Sequence, residues 1–189
     1  KQKQPRDATQ VLANGAMYGF LALFAWPDPY GCYAEMPQPE AWLLLAMAIA
    51  TADTWSSEIG QYFHRPTYDL VRWRQVPPGL SGGVSWPGTL AGRGGSLLLV
   101  TTCWWLVPYP YTGLMAMVIF AGFFGMLLDS VLGSLFQAKY QNFADGTLND
   151  TPGEGKELVS GFHWMTNDLV NFLAILAGTW GGASVIIWF

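Results

Sequence analysis

The sequence predicts an all-α integral membrane protein of about five transmembrane helices. Its N-terminus is expected in the cytoplasm, and a polar site in the cytoplasmic half of the bundle. Three observations predict this. Five long apolar runs recur along the 189 residues. Only 12% of residues are charged, against 51% hydrophobic and 15% aromatic, where soluble domains carry about 25% charged residues. Every Lys and Arg falls on one side of the alternation that five spans impose. Mean hydropathy is a modest +0.24, because Gly- and Pro-rich connections dilute the runs.

The first run, "QVLANGAMYGFLALFAW" (Gln10–Trp26), is the shortest, and its Gly15–Gly19 pair reads as a helix-packing surface. The second covers Ala41–Phe63, the third Thr89–Tyr109, the fourth Thr112–Gln137 and the fifth Thr166–Phe189, with a second packing pair at Gly178–Gly182. Most reach the roughly 17–25 residues that a helix needs to cross a bilayer. A soluble helical core has no use for five such runs. The whole of 1–189 therefore reads as one transmembrane domain, with a Gly-rich cytoplasmic loop at 64–95 and a polar cytoplasmic loop at 138–165. The chain opens "KQKQPRDATQ", without Met, and is expected to lack N-terminal helices.

Sidedness follows from the basic residues. Lys1, Lys3 and Arg6 precede the first span; Arg65, Arg72, Arg74 and Arg93 lie between the second and third; Lys139 and Lys156 lie between the fourth and fifth. The connections "PDPYGCYAEMPQPE" and "PYPY" hold none. The positive-inside rule makes the basic side cytoplasmic, and adding or dropping one span would scatter the charges. Trp26, Trp42, Trp104, Trp105 and Trp188 fall near the opposite ends, where an interfacial aromatic belt is expected.

Other classes are excluded quickly. Cys32 and Cys103 match no metal spacing, and His64 and His163 stand alone in their segments. A net charge of −4 argues against nucleic acid as a partner.

Four carboxylates fall inside or at the ends of spans: Asp53, Glu58, Asp129 and Asp168. A charge at the bilayer centre costs at least ~2.5–3.5 kcal/mol on insertion scales, so such residues point to function. Asp53 and Asp129 each lie roughly 15 Å below the cytoplasmic helix ends at ~1.5 Å rise per residue. That common depth suggests one water-filled cavity; the plainer alternative is a set of unrelated buried acids satisfied by Ser or Asn neighbours. In "LLDSVLGSLFQ", Ser130, Gly133 and Gln137 share a face beside Asp129. In "MTNDLVNFL", Asn167 and Asp168 both face Asn171, and in the first span Arg6, Gln10 and Asn14 are spaced by four. Asp53 and Glu58 are about 140° apart on an ideal helix, so both reach one point only if the helix unwinds near Ser56–Gly60. Oxygen-rich ligation of this kind suits Mg²⁺, which takes one or two carboxylates and completes its shell with water and phosphates.

The loop "GLSGGVSWPGTLAGRGG" (Gly79–Gly95) adds glycines with Ser81, Ser85, Thr89 and Arg93 interleaved. Successive N–H groups in glycine turns form anion nests, and the helix N-terminus that follows favours phosphate. No Gly-Lys-Ser/Thr follows, so it is not a Walker motif. A flexible linker is the ordinary alternative, but Pro77, Pro78, Pro87 and Trp86 stiffen this loop. In the polar loop, Asp145, Asp150, Glu154 and Glu157 are expected to be merely solvated, and His163 interfacial.

Five motifs, "QVLANG", "TADTWSSEIG", "GLSGGVSWPGTLAG", "LLDSVLGSLFQ" and "NDLVNFL", resemble in this order a family of polytopic membrane proteins. That family includes plant phytyl-phosphate kinase and the animal transmembrane protein 19. The resemblance runs from about Arg6 to Thr179, with "GLSGG" where the family is associated with Thr-Asn-Gly-Gly. More distantly, the chain resembles phytol and dolichol kinases and CDP-archaeol synthases. The resemblance implies a kinase that moves a phosphoryl group from a nucleoside triphosphate, CTP by preference, to an isoprenyl monophosphate in the membrane. It implies Asp53, Glu58, Asp129 and Asp168 as direct or water-mediated Mg²⁺ ligands. Asn14, Ser130, Gln137, Asn167 and Asn171 would orient substrate. Ser81, Gly82, Gly83, Ser85, Gly88 and Thr89 would cradle the nucleotide phosphates, with Arg6 and Arg93 neutralising charge. The apolar walls of spans one, four and five would hold the prenyl tail. The rival readings are a CDP-lipid-forming cytidylyltransferase, a membrane transporter and a non-catalytic membrane subunit. A homo-oligomer stays open.

Overall fold

The computed structural model describes residues 8–25, 39–107 and 112–186. The chain is mostly helical: α1 (Ala8–Ala25), α2 (Pro39–Tyr62), α3 (Trp86–Cys103), α4 (Thr112–Leu135) and α5 (Asn167–Ile186). Local chemistry sets where these helices start. α2 opens on Pro39 with Glu40 in its first turn, a proline where no N–H is needed and an acid against the positive end of the helix dipole. Ser85 caps α3: its Oγ accepts from the Gly88 amide at 3.3 Å, and Pro87 follows within the first helical positions. Thr166 does the same for α5, accepting from the Leu169 amide at 3.4 Å.

Two of these helices, over Thr112–Leu135 and Asn167–Val185, are long and apolar enough to cross a membrane by length and composition. α2 matches α4 at 24 residues, but its second half carries the polar stretch "TADTWSSEIGQY". α1 and α3 have 18 residues each, roughly 27 Å of helix against a hydrocarbon core of roughly 30 Å.

The all-α expectation needs correction in both connections on the polar side. Between α2 and α3, strands β1 (Thr67–Asp69), β2 (Gln75–Val76) and β3 (Gly83–Val84) form an antiparallel sheet in the order β2-β1-β3. Thr67 pairs with Val76 and Tyr68 with Val84. Between α4 and α5, β4 (Lys139–Asn142), β5 (Leu148–Asn149) and β6 (Lys156–Ser160) form a second sheet in the order β5-β4-β6. Strands of two to five residues are too short to reveal a period of two in a sequence.

The glycine-rich loop also closes earlier than expected, at Ser85 rather than 95, because "WPGTLAGRGG" is helix. Its glycines have a packing role. A Cβ on Gly88 would meet the Ser56 carbonyl oxygen at 2.7 Å, one on Gly92 the Ala52 carbonyl oxygen at 2.9 Å, and one on Gly95 the Trp55 ring at 3.0 Å. Spaced by four and three, they let α3 lie directly on the backbone of α2. Gly178 and Gly182 pack as the sequence suggests, against Ile49 and Leu45 of α2. Gly15 and Gly19 do not: a Cβ on Gly19 meets open space, and one on Gly15 meets only Tyr18 of the same helix.

α2 is the central helix and packs against the other four. Its first half is buried almost throughout, with Leu44, Leu45, Ala48 and Ile49 in one apolar cluster with Met17 and Leu21 of α1, Val100 of α3, Leu114 and Val118 of α4, and Ile175 and Ala183 of α5. That core occupies one end of the bundle. Successive helices run in opposite directions through it, so the polar ends of all five collect at the other end, with both sheets. Arg65, Arg72, Arg74, Lys139 and Lys156 lie in those sheet-bearing connections. Of the expected aromatic belt, Trp104 and Trp105 are exposed, whereas Trp42 is buried edge-on against Trp180 at 5.7 Å. Trp26 and Trp188 lie outside the described residues.

Candidate functional site

At the polar end, α2, α4, α5 and the first sheet enclose a cavity of about 140 Å³. α2 contributes Asp53, Ser56, Ser57, Gly60 and Gln61. Four of these fall at i, i+3, i+4 and i+7, one face of an unbroken helix. α4 contributes Asp129 and Ser130, and α5 contributes Asn167 and Asn171. The connection before α3 contributes Thr67, Gly79, Leu80, Ser81, Gly82, Gly83 and Ser85, and Asp150 reaches in from the second sheet.

The centre of this cavity is a pair of acids. The Asp53 and Asp129 carboxyls stand in hydrogen-bonding contact across the α2–α4 interface. The Asn171 amide can be turned two ways. In one it donates to Asp129 Oδ1 at 3.0 Å and to the Asn167 carbonyl at 3.1 Å. In the other it donates to Asn14 Oδ1 at 3.3 Å. The first makes two bonds, one of them to a carboxylate, and is the stronger arrangement. Asn14 lies just behind, its Nδ2 on the Gln10 carbonyl at 3.1 Å.

Among the described residues, no Lys or Arg lines the cavity. Three acidic side chains lining one cavity favour a cation there, and phosphate in a cation's company. Two facing carboxylates, with hydroxyls and amides around them, fit Mg²⁺, which uses one or two carboxylates and takes the rest of its shell from water and phosphate oxygens.

The expected four-carboxylate set does not gather here. No group of three or more His, Cys, Asp or Glu among the described residues could hold a metal on its own. Glu58 is half-buried on α2 but does not line the cavity, because the helix runs unbroken to Tyr62 and the 140° between the two acids is kept. Asp168 sits in the first turn of α5 and lines an adjoining recess instead. Of the expected phosphate cradle, Ser81, Gly82, Gly83 and Ser85 line the cavity. Gly88, Thr89 and Arg93 do not: Gly88 is buried against α2, Thr89 Oγ1 donates to the Ser85 carbonyl at 3.0 Å, and Arg93 is exposed on α3. Gln137 stands behind the wall, its Oε1 accepting from Ser81 Oγ at 2.6 Å. Arg6 lies outside the described residues.

A buried polar hub holds the wall in place, and it had no counterpart in the sequence reading. Asp69, 1% exposed, accepts at Oδ1 from the Val71 amide (3.0 Å), the Arg72 amide (2.8 Å) and the Ser134 hydroxyl (2.6 Å). Its Oδ2 faces Arg72 Nη1 at 3.5 Å and Lys139 Nζ at 3.8 Å. Both cations also donate to the Ser134 carbonyl, at 3.1 and 3.2 Å. Burial pushes the Asp69 carboxyl up, but the Ser134 hydroxyl, the two amides and Lys139 together hold it below the usual carboxylate range. Burial pulls the Lys139 ammonium below its ordinary value, against the attraction of Asp69. Gly82 shows how close the fit is: its φ is +80°, and a Cβ there would meet the Ser134 backbone at 2.6 Å. Asp69 and Ser134 are 65 residues apart, so no local pattern could link them. Asp150, expected to be solvated, accepts from the Ser81 amide at 2.8 Å and joins the cavity wall.

The recess beside the cavity measures about 400 Å³ and is lined by Gln10, Ala138, Tyr140, Asp150, Thr151, Pro152, His163, Thr166, Asn167 and Asp168. Three larger grooves are apolar. One, of about 620 Å³, lies between α1, α2 and α5, lined by Met17, Phe20, Trp42, Phe172 and Trp180 among others. Two lie along α4 and α5, one of them running up to the stacked rings of Phe136, Phe162 and Trp164.

The chain is similar to several known proteins. It is 27% identical to protein VTE6, chloroplastic, of Arabidopsis thaliana, over 94% of this chain and 46% of that protein. It is 26% identical to protein PGR of the same plant, over 93% of this chain and 67% of that protein. It is 27% identical to the uncharacterized membrane protein sll0875 of Synechocystis, over 88% of this chain and 52% of that protein. The chain thus spans about half the length of two of these relatives. No solved structure matches it. The resemblance carried by the five motifs is matched by a family described as integral membrane protein DUF92, which covers residues 1–179, and the chain belongs to that family.

Proposed function

We propose that the protein is a membrane-embedded kinase that transfers the terminal phosphoryl group of a nucleoside triphosphate, CTP by preference, to an isoprenyl monophosphate. The observation that carries this is the Asp53–Asp129 pair in a cavity walled by a glycine- and serine-rich connection and lacking any basic side chain among the described residues. The similarity to a family that includes phytyl-phosphate kinase supplies the reaction class. In this reading the five helices all cross the membrane, the sheet-bearing end faces the cytoplasm, and an apolar groove beside α5 holds the prenyl chain.

Asp53 and Asp129 would hold Mg²⁺, with Ser130 and waters completing the polyhedron. When bound, the ion supplies charge neutralisation for the phosphate oxygens. The chain's own residues do the rest. Asn171 fixes the Asp129 carboxylate. Ser81, Gly82 and Gly83 form the wall against which phosphates lie, and the capped N-terminus of α3 at Ser85 faces the same space. The acceptor is already an oxyanion, so no strong general base is required. Its oxygen bonds to the terminal phosphorus as the bridging P–O bond breaks, and the nucleoside diphosphate leaves with that oxygen.

The test uses the full-length protein in detergent with Mg²⁺, γ-labelled CTP and phytyl or geranylgeranyl monophosphate, followed by thin-layer chromatography. Label in a lipid diphosphate, lost in Asp129→Asn, is the expected result. Labelled pyrophosphate without labelled lipid would replace the kinase with a CDP-lipid-forming cytidylyltransferase. No labelled product with CTP, ATP, GTP or UTP would overturn the enzyme reading in favour of transport or a non-catalytic subunit.

A further inference from the structure

We propose, resting on the kinase reading, that the prenyl chain lies in the groove between α1, α2 and α5, and that the edge-on pair Trp42–Trp180 at its far end limits how long that chain can be. Position tells the three apolar grooves apart. The one of about 620 Å³ begins where the polar cavity ends. On α1, Asn14 is followed at spacings of three and four by Met17 and Leu21, one face of the helix, and both line the groove. On α5, Asn171 lines the cavity, and Phe172, Leu176 and Trp180, spaced by four, carry the groove on from it. Asn14 and Asn171 meet between the two helices. A lipid whose phosphate sits beside Asp129 and Asn171 therefore has an apolar path directly below its head.

The α4–α5 side is shut at the same depth. In its stronger orientation Asn171 bonds Asp129 of α4 at 3.0 Å. Two turns on, a Cβ on Gly178 would meet Ile49 Cδ1 at 2.8 Å and Gly125 Cα at 3.4 Å, so α2, α4 and α5 close on one another there without width for a chain. The length limit follows from helix geometry. At ~1.5 Å per residue, Trp180 lies roughly 13 Å beyond Asn171 along α5, and Trp42 roughly 16 Å beyond Asp53 along α2. A polypeptide gains roughly 3.5 Å over three backbone bonds, so an extended isoprene unit of four bonds covers roughly 5 Å. Three units thus reach the tryptophan pair, and a fourth lies against it. Trp42 is buried and meets Trp180 edge-on at 5.7 Å, which holds the obstacle in place. A longer chain must displace Trp180 or leave its end outside the groove.

Crosslinking locates the chain without turnover. Full-length protein in detergent is irradiated with geranylgeranyl monophosphate carrying a diazirine on its last isoprene unit, and labelled peptides are identified by mass spectrometry. Label is expected on Met17–Leu21 and beside Trp42. Label confined to α4 and α5, where the other two grooves run, would overturn the assignment. Steady-state kinetics with geranylgeranyl and hexaprenyl monophosphates test the limit. Trp180→Ala, at an exposed position, is expected to raise kcat/KM for the hexaprenyl relative to the geranylgeranyl substrate about tenfold, the lower end of what the fit of one methylene is worth in an apolar pocket. Ala16→Trp, exposed in the groove wall, is expected to raise the KM for geranylgeranyl monophosphate about tenfold and leave that for nucleotide alone. Ala177→Trp, exposed in both α4–α5 grooves, should change neither. A KM raised by Ala177→Trp and not by Ala16→Trp, or an unaltered chain-length ratio in Trp180→Ala, would sink the proposal. Label on Met17–Leu21 in protein that forms no lipid diphosphate supports the groove while refuting the kinase. Lipid diphosphate formed with label confined to α4 and α5 does the reverse. Neither label nor product refutes both.

Discussion

Asp69→Ala is the substitution that tests how the cavity wall is held. It deletes an acceptor that three donors share, within 2.6–3.0 Å, and takes from Lys139, whose side chain is 3% exposed, its Asp69 partner at 3.8 Å. Removing one partner of a buried ion pair costs about 3–5 kcal/mol. Here the lower end applies, because Lys139 and Arg72 keep their bonds to the Ser134 carbonyl. The loss falls on the docking of the first sheet onto α4, so it reads out as local opening. At 1.4 kcal/mol per factor of ten, about 3 kcal/mol raises the open population roughly a hundredfold. Arg72 and Arg74 are exposed in this connection and are trypsin sites, whereas Arg65 precedes Pro66 and resists trypsin. When reclosing outpaces cleavage, the cutting rate tracks the open population. The assay is tryptic cleavage in detergent under those conditions. Asp69→Asn, which keeps the acceptor but not the charge, should raise the rate by about tenfold. Lys139→Met alone should do less than Asp69→Ala, since Asp69 keeps its amide, hydroxyl and Arg72 partners. A rate for Asp69→Ala within about twofold of wild type would refute the reasoning, since breaking a buried ion pair cannot leave the opening unchanged.

Other expectations follow from the same geometry. Asp53→Asn and Asp129→Asn should each lower phosphoryl transfer by at least about a hundredfold, on the scale of lost electrostatic stabilisation, with helical content by circular dichroism unchanged. Gly92→Ala should destabilise the bundle by about 1–3 kcal/mol, because its Cβ would meet the Ala52 carbonyl and Met126 Sδ. Gly94→Ala, two residues on with open space around it, should be neutral or gain up to ~1 kcal/mol; thermal melts in detergent compare the two. Asp69 is held below its ordinary value in the fold, so its contribution is complete above the unfolded carboxylate range and is lost as pH falls through the lowered folded value. Pepsin cleavage of the 64–85 connection should therefore accelerate toward low pH in the wild type, and that acceleration should flatten in Asp69→Ala.

The apolar runs, the basic residues gathered in the same connections, and the pairing of Asp53 with Asp129 were all legible in the sequence. The physical reason is that each is a local or additive property. Helical period, charge placement and depth along a helix can be counted without knowing what lies opposite. Where local counting left a condition, the structure resolved it: Glu58 joins Asp53 only if α2 unwinds, and α2 does not. Three things belonged to the tertiary structure alone. The glycines of "WPGTLAGRGG" read as phosphate ligands until α3 was laid on α2, because backbone approach and anion binding ask for the same residue. Asp150 read as solvated until a chain fold placed the Ser81 amide against it, 69 residues away. The Asp69–Ser134–Lys139 hub, spanning 65 residues between acid and hydroxyl, has no signature along the chain at all. Buried polar contacts are paid for by their partners, and only the fold decides who those partners are.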